Sequence, residues 1–213
     1  MQKKAAAAFV KEGARYRGRD YLSYTITYHL TPVLETYRPA VMLSLVNDQR
    51  RLFTLWEEYK GSLFPTGKMN FYELRKKDKS ASVLFYHFHL LNKVIDKEQH
   101  RSFLKKFGYE RPADLMKTLG HLQQRFQLGE CPHEIGLFLG IPLEDVRGFI
   151  LNKGKGCQAH GHWKVYTNLE QARNLFVCCE NAKKKFLRFI SLGYPPSDYL
   201  RIHASQGSGQ SIH

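Results

Sequence analysis

In the run ECPHEIGLFLGIPLEDVRGFI, residues 130–150, a cysteine, a histidine and a glutamate fall within four consecutive positions. A thiolate with a neutral imidazole two residues away is a nucleophile with its base. Pro132 suits the first position of a helix, which makes Cys131 the cap residue and puts Glu134 where its carboxylate can reach back to the cap N–H. The positive end of that helix would keep His133 neutral and favour the Cys131 thiolate. Cys131, His133 and Glu134 are therefore the catalytic candidates. Capping alone also accounts for these residue types at this spacing, and that structural reading is the favoured one.

A second cluster is Cys157-x2-His160-x-His162. Thiolate and imidazole suit zinc or iron, and Cys131 with His133 could add ligands from across the fold. The spacing fits no standard zinc finger. Residues 132–153 have the small and apolar positions of a helix-turn-helix hairpin, with Gly140 at the turn and Pro142 opening the second helix. That second helix begins with Glu144 and Asp145, whose charges would face phosphates, and only Arg147, Asn152 and Lys153 could help bind DNA. The glycine-rich loop Asn152–Gly156 matches no phosphate-binding pattern and follows a helix C-terminus, where the dipole repels anions. Cys178 and Cys179 are helix neighbours about 100° apart, so Cys179 is read as core and not as half of a redox pair.

The elements that must position these residues read as α+β. Residues 70–75 and 82–87 form the clearest hairpin, joined by a polar turn at 76–79, and 162–166 reads as a further strand of a small antiparallel or mixed sheet. Helices are expected over 47–63, with Leu52, Leu55, Trp56 and Tyr59 as the apolar stripe, and over 88–95 and 97–107. Another begins near Pro112, with the stripe Leu115, Leu119, Leu122 and Phe126. Asn168 caps a long one whose stripe is Ala172, Leu175, Cys179, Ala182, Phe186 and Phe189. Residues 31–46 read as helical with a break at Pro39. The expected organisation is a basic extension over 1–30, one domain over 31–192 and a flexible tail over 193–213.

The chain has 213 residues, enough for one buried core, with 43% hydrophobic and 13% aromatic content. Thirty-three basic against 19 acidic residues give a net charge of +14, which favours acidic proteins, nucleic acid or anionic surfaces as partners. No apolar run approaches a membrane span. The stretch AAAAFV after Lys3-Lys4 is cut short by Lys11-Glu12, so secretion is not expected. Four cysteines in a chain this long suggest free thiols and a reducing cytoplasm.

The run PHEIGLFLGIPLEDVRGFI, the downstream GHWKVY and a helix carrying a cysteine pair resemble a bacterial family catalogued as a domain of unknown function, number 3793. The resemblance spans most of residues 31–190, including the VLFYHF strand. Relatives commonly have tyrosine where Ile141 stands and can have phenylalanine at the Cys131 position, and the second departure weakens a catalytic role for Cys131. The resemblance implies a bacterial cytoplasmic protein with no assigned reaction. The sequence thus favours a non-catalytic binding or accessory module over an enzyme. Its working surface is expected between the His133-Glu134 helix start and the 157–166 segment, where Gly136, Gly140, Gly148, Gly154, Gly156 and Gly161 would let a ligand approach the backbone. The alternatives are a cysteine- and histidine-based metal or redox protein, linked to iron or electron transfer, and a basic nucleic-acid binder using the hairpin.

Overall fold

A computed structural model describes residues 2–36, 38–64, 69–110, 114–129 and 131–205. The expected hairpin forms as β2 (Met69–Lys77) and β3 (Ser80–His87), turning at Asp78-Lys79. Val83, Leu84 and Phe85 are fully buried, so β3 is covered on both faces and its apolar run is continuous. It is the middle strand, because β1 (Ala40–Val46) pairs antiparallel along its other side to complete a three-stranded sheet in the order β1-β3-β2. Sequence reading missed β1. AVMLSLV is apolar without alternation, and such a run cannot be told from a helix segment by periodicity. The α+β class holds, but the strand expected at 162–166 does not join this sheet. Ala159–His160 (β4) and Lys164–Val165 (β5) pair only with each other, as a separate two-stranded ribbon.

Helices cover both sheet faces. On one side Leu45, Ala81, Val83 and Phe85 pack against α2 (Gly18–Glu35) and α3 (Leu52–Tyr59), with Trp56 at the centre. The helix expected over 47–63 is shorter, since Asn47 and Asp48 bind back to the backbone of Thr54 and Arg50 and Arg51 takes a left-handed φ of 53° before the first turn. On the other side Leu74, Leu84 and Tyr86 meet a core built from α4 (Phe88–Ile95), α5 (Glu98–Lys105), α6 (Leu115–Gln127), α7 (Ile135–Phe138) and α8 (Leu143–Leu151). The stripe Leu115, Leu119, Leu122 and Phe126 is buried as expected, and the Asp114 carboxylate accepts the Lys117 N–H at 3.1 Å as the cap. The expected start near Pro112 lies outside the described residues.

A third layer lies behind α2. The long helix α9 (Leu169–Ser191) is capped by Asn168 as expected, with Oδ1 accepting from Gln171 N–H at 2.9 Å. It packs Phe186, Leu187 and Ile190 against Tyr24 and Tyr28, and α10 (Pro196–Ser205) adds Tyr199. The tyrosines read as part of a basic extension are thus core residues. The division at residue 30 falls inside α2, whose two apolar flanks face the sheet and α9. Part of the segment read as a flexible tail is the packed helix α10, while residues 206–213 lie outside the described residues. The preceding helix, α1 (Gln2–Gly13), rests its Phe9 ring on Tyr24 and Tyr28.

The turn between α7 and α8 sits against the start of β1. Gly140 has φ of 73°, and a Cβ there would lie 2.5 Å from Cδ of Pro39. Gly140→Ala is therefore expected to cost about 2–4 kcal/mol, combining left-handed strain with overpacking. Gly193 has φ of 91° with open space around it. Gly193→Ala should cost only about 1–2 kcal/mol. Urea midpoints of the two variants check the difference.

Candidate functional site

The conspicuous run at 131–150 turns two of its charged groups, Glu134 and Asp145, inward and leaves Glu144 and Arg147 exposed. Glu134 is the residue immediately before α7, its side chain is fully buried, and no capping box forms among the described residues. Its carboxylate accepts from Arg125 through Nε and, at 3.4 Å, through Nη2, and from the Tyr109 hydroxyl at 3.3 Å. Burial, reinforced by the Glu134 charge, pushes the Tyr109 hydroxyl pKa far up, so it stays a donor. His133 is exposed and meets Phe149 edge-on, ring centres 4.9 Å apart. Cys131 is at the surface, yet partial desolvation of its sulfur raises its pKa; Glu134 adds to the rise and Arg75 opposes it. The expected push toward thiolate is thus reversed. α7 is a single turn and has little dipole to offer. No hydrogen bond joins Cys131 to His133 among the described residues.

Asp145 is the second inward carboxylate, 2% exposed. Oδ2 accepts from Trp163 Nε1 at 2.8 Å, and Oδ1 accepts from the backbone of Tyr166 at 2.8 Å and of Thr167 at 3.0 Å and from the Thr167 hydroxyl at 3.0 Å. The residue expected to face phosphates instead fastens the β4–β5 ribbon to α8. The helix-turn-helix outline is present, but its first helix is one turn and its second spends Leu143, Asp145 and Val146 on the interior. Five of the six glycines expected to admit a ligand are closed by the chain's own side chains, with Val146 against Gly136, Pro39 against Gly140, Tyr166 against Gly148, Phe149 against Gly154 and Phe176 against Gly161, while Gly156 faces open space.

The Cys157, His160 and His162 cluster disperses. His160 is exposed in β4, Cys157 is half-buried, and His162 turns toward α9. There its Nε2 lies 3.2 Å from Glu180 Oε1, at ion-pair distance but outside hydrogen-bond geometry. Among the described residues no group of three or more His, Cys, Asp and Glu is arranged to hold a metal ion. Cys179 is buried and Cys178 exposed, as the helical spacing implies.

What the fold does assemble is a cleft of about 380 Å³ along the outer edge of β1. Ala40–Ser44 form its floor; His29 and Pro32 of α2, Arg38, His162 and Lys183 of α9 form its walls. Arg38 donates to the Leu139 carbonyl through Nε at 3.1 Å and lies 5.7 Å over the Trp163 ring, which joins the ends of α7 and the ribbon. Lys183 pairs with the buried Glu180 at 3.2 Å. Burial, with Lys183 adding, lowers the His29 pKa to about 4; burial also lowers that of His162. With both histidines shifted toward the neutral form, the charged groups lining the cleft are Arg38 and Lys183, and Glu180 pairs with Lys183 from outside the lining. Sequence reading missed this site because its residues are scattered from 29 to 183 and share no motif.

Residues 26–200 match a family described as a protein of unknown function, DUF3793. The chain belongs to the DUF3793 family. The matched region contains every residue of the cleft and the buried carboxylates Glu134, Asp145 and Glu180, and leaves α1 outside. No curated protein and no solved structure matches the chain.

Two outcomes follow for this DUF3793 member. Asp145→Asn turns an amide N–H₂ toward the Trp163 N–H, and is expected to cost about 2–3 kcal/mol and red-shift Trp163 emission. Unchanged emission would mean that packing alone docks the ribbon. Between pH about 4 and 6.5 the unfolded chain protonates His29 and the folded chain does not, so stability rises with pH across that window. His29→Gln should therefore lose about 1–3 kcal/mol less than the parent on going from pH 7 to pH 4, by urea unfolding at each pH.

Proposed function

We propose that the chain is a non-catalytic binding module that takes acidic protein segments in the β1 cleft, acting in a bacterial cytoplasm. The observation that carries this reading is the pair of cations, Arg38 and Lys183, beside a sheet edge in a chain of net charge +14. Lys183 is shared with Glu180, whereas Arg38 is held by a backbone carbonyl and an aromatic ring, so its charge is not cancelled by a carboxylate among the described residues. The two histidines contribute no charge near neutral pH and leave the cleft net positive. Free thiols at all four cysteines are in keeping with a reducing compartment. No helix among the described residues is long and apolar enough to cross a membrane.

The inward orientation of Glu134 and Asp145 supports a scaffolding role for the PHEIG and EDV motif, and among the described residues no hydrogen bond joins Cys131 and His133 as a nucleophile and its base. The test is fluorescence anisotropy with a fluorescein-labelled seven-residue peptide alternating glutamate and valine. Binding in the micromolar range is expected, weakened about tenfold by Arg38→Gln or Lys183→Gln and weakened further by added salt. Tighter binding of a labelled DNA duplex, unaffected by either substitution, would overturn the reading in favour of nucleic acid.

A further inference from the structure

The two open edges of the three-stranded sheet are treated differently. On β2, Gln123 Nε2 of α6 donates to the Glu73 carbonyl at 2.7 Å and Gln127 Nε2 to the Leu74 carbonyl at 3.4 Å. The β2 register also shifts between Glu73 and Arg75, and the strand finishes with Lys76 and Lys77. Side-chain capping, an irregularity and terminal lysines are the means by which proteins close an edge to further pairing. Among the described residues the β1 edge has none of them. Its register with β3 runs unbroken from Ala40 to Val46, through AVMLSLV.

The ladder fixes which groups β1 leaves free. His87 N–H donates to the Pro39 carbonyl at 2.9 Å and Asn47 N–H to the Lys79 carbonyl at 3.0 Å. Antiparallel alternation then turns the backbone groups of Val41, Leu43 and Leu45 toward β3 and those of Met42 and Ser44 outward. These outward groups line the cleft that also holds Arg38 and Lys183. An unpaired amide row is a template for another strand, and a groove with cations on its walls selects which strand.

Resting on the acidic-ligand reading of this cleft, we propose that an acidic peptide segment binds in extended form, as a fourth strand hydrogen-bonded to Met42 and Ser44 of β1. The floor from Ala40 to Ser44 is about 16 Å long, room for about five residues. Side chains on such a strand alternate, so one set meets Arg38 and Lys183 while the backbone supplies the remaining contacts. A second copy of this chain is the poorer occupant. Pairing β1 with itself would join two chains that each carry +14 and would offer Arg38 and Lys183 a like-charged surface.

The test uses the alternating glutamate–valine peptide in two N-methylated forms, one methylated on the glutamate amides and one on the valine amides. Only one alternate set of amides can face β1, so one form should bind about tenfold or more weakly than the parent while the other is close to it. Ser44→Pro removes an outward N–H that the β1–β3 ladder does not use and should weaken the parent peptide to a similar degree, with the fold checked by circular dichroism. If both methylated forms bind as well as the parent, strand addition is overturned while the acidic-ligand reading stands. If the parent peptide itself does not bind, both fall. Concentration-dependent dimers in sedimentation, abolished by Ser44→Pro, would overturn the peptide in favour of a second copy.

Discussion

Removing a carboxylate from water is expensive unless other dipoles or charges take the place of the solvent, and this fold does so twice within a dozen residues. Asp145 does it without a cation. Its donors are an indole N–H, two backbone amides and a hydroxyl, all belonging to residues 163–167. A ribbon with only two paired residues per strand has too little ladder to hold itself. The Asp145 carboxylate therefore decides where the ribbon lies, and the ribbon in turn sets Trp163 beneath Arg38 and aims His162 at Glu180.

Glu134 solves the same problem with a guanidinium and a phenol. Arg125 comes from α6 and Tyr109 from the loop after α5, so one carboxylate ties three segments of the helical layer together. Arg125 keeps partial contact with solvent, 30% exposed, and lies over the Phe107 ring. The two anchors converge on Arg38, which bonds the last residue after α7 and covers Trp163 of the ribbon. The cation that makes the β1 cleft positive is thus oriented by elements that the two buried carboxylates hold in register. Charge burial in the scaffold and charge presentation in the cleft are parts of one arrangement.

Elements with a single dry face were legible in the sequence, as the stripe of α6 and the stripe and asparagine cap of α9 show. The β2–β3 hairpin was legible through its polar turn, although β3 is covered on both faces. Elements covered on two sides without such a turn signal were not. α2 lies between the sheet and α9, so Leu22, Ile26 and Leu30 face one way, Tyr24 and Tyr28 the other, and no polar face remains to give a period. β1 fails for a related reason, since AVMLSLV lacks the alternation that a strand with one wet face would show. The 131–150 run was recognised as distinctive, and its residue types were read as reactive or capping groups. Sequence spacing fixes which helix turn a carboxylate occupies but not whether it faces out, and Glu134 and Asp145 both face in.

The cleft was illegible for another reason: its parts become neighbours only through topology. His29 and Lys183 are brought together by α9 packing on α2, and Arg38 and Ala40–Ser44 follow directly from the end of α2. Once assembled, the histidines lose their charge because the same packing that forms the walls desolvates them, and Lys183 adds repulsion. Glu180 offsets only one of the two cations, and it does so from a buried position behind Lys183. A ligand that adds a carboxylate from the open side meets a field already directed outward, and displaces little hydration from groups whose other faces are packed. The sheet edge supplies no sequence selectivity of its own, because every peptide has the same backbone. Selection for acidic residues has to come from Arg38 and Lys183, the positions that the two anchored layers hold at the rim of β1.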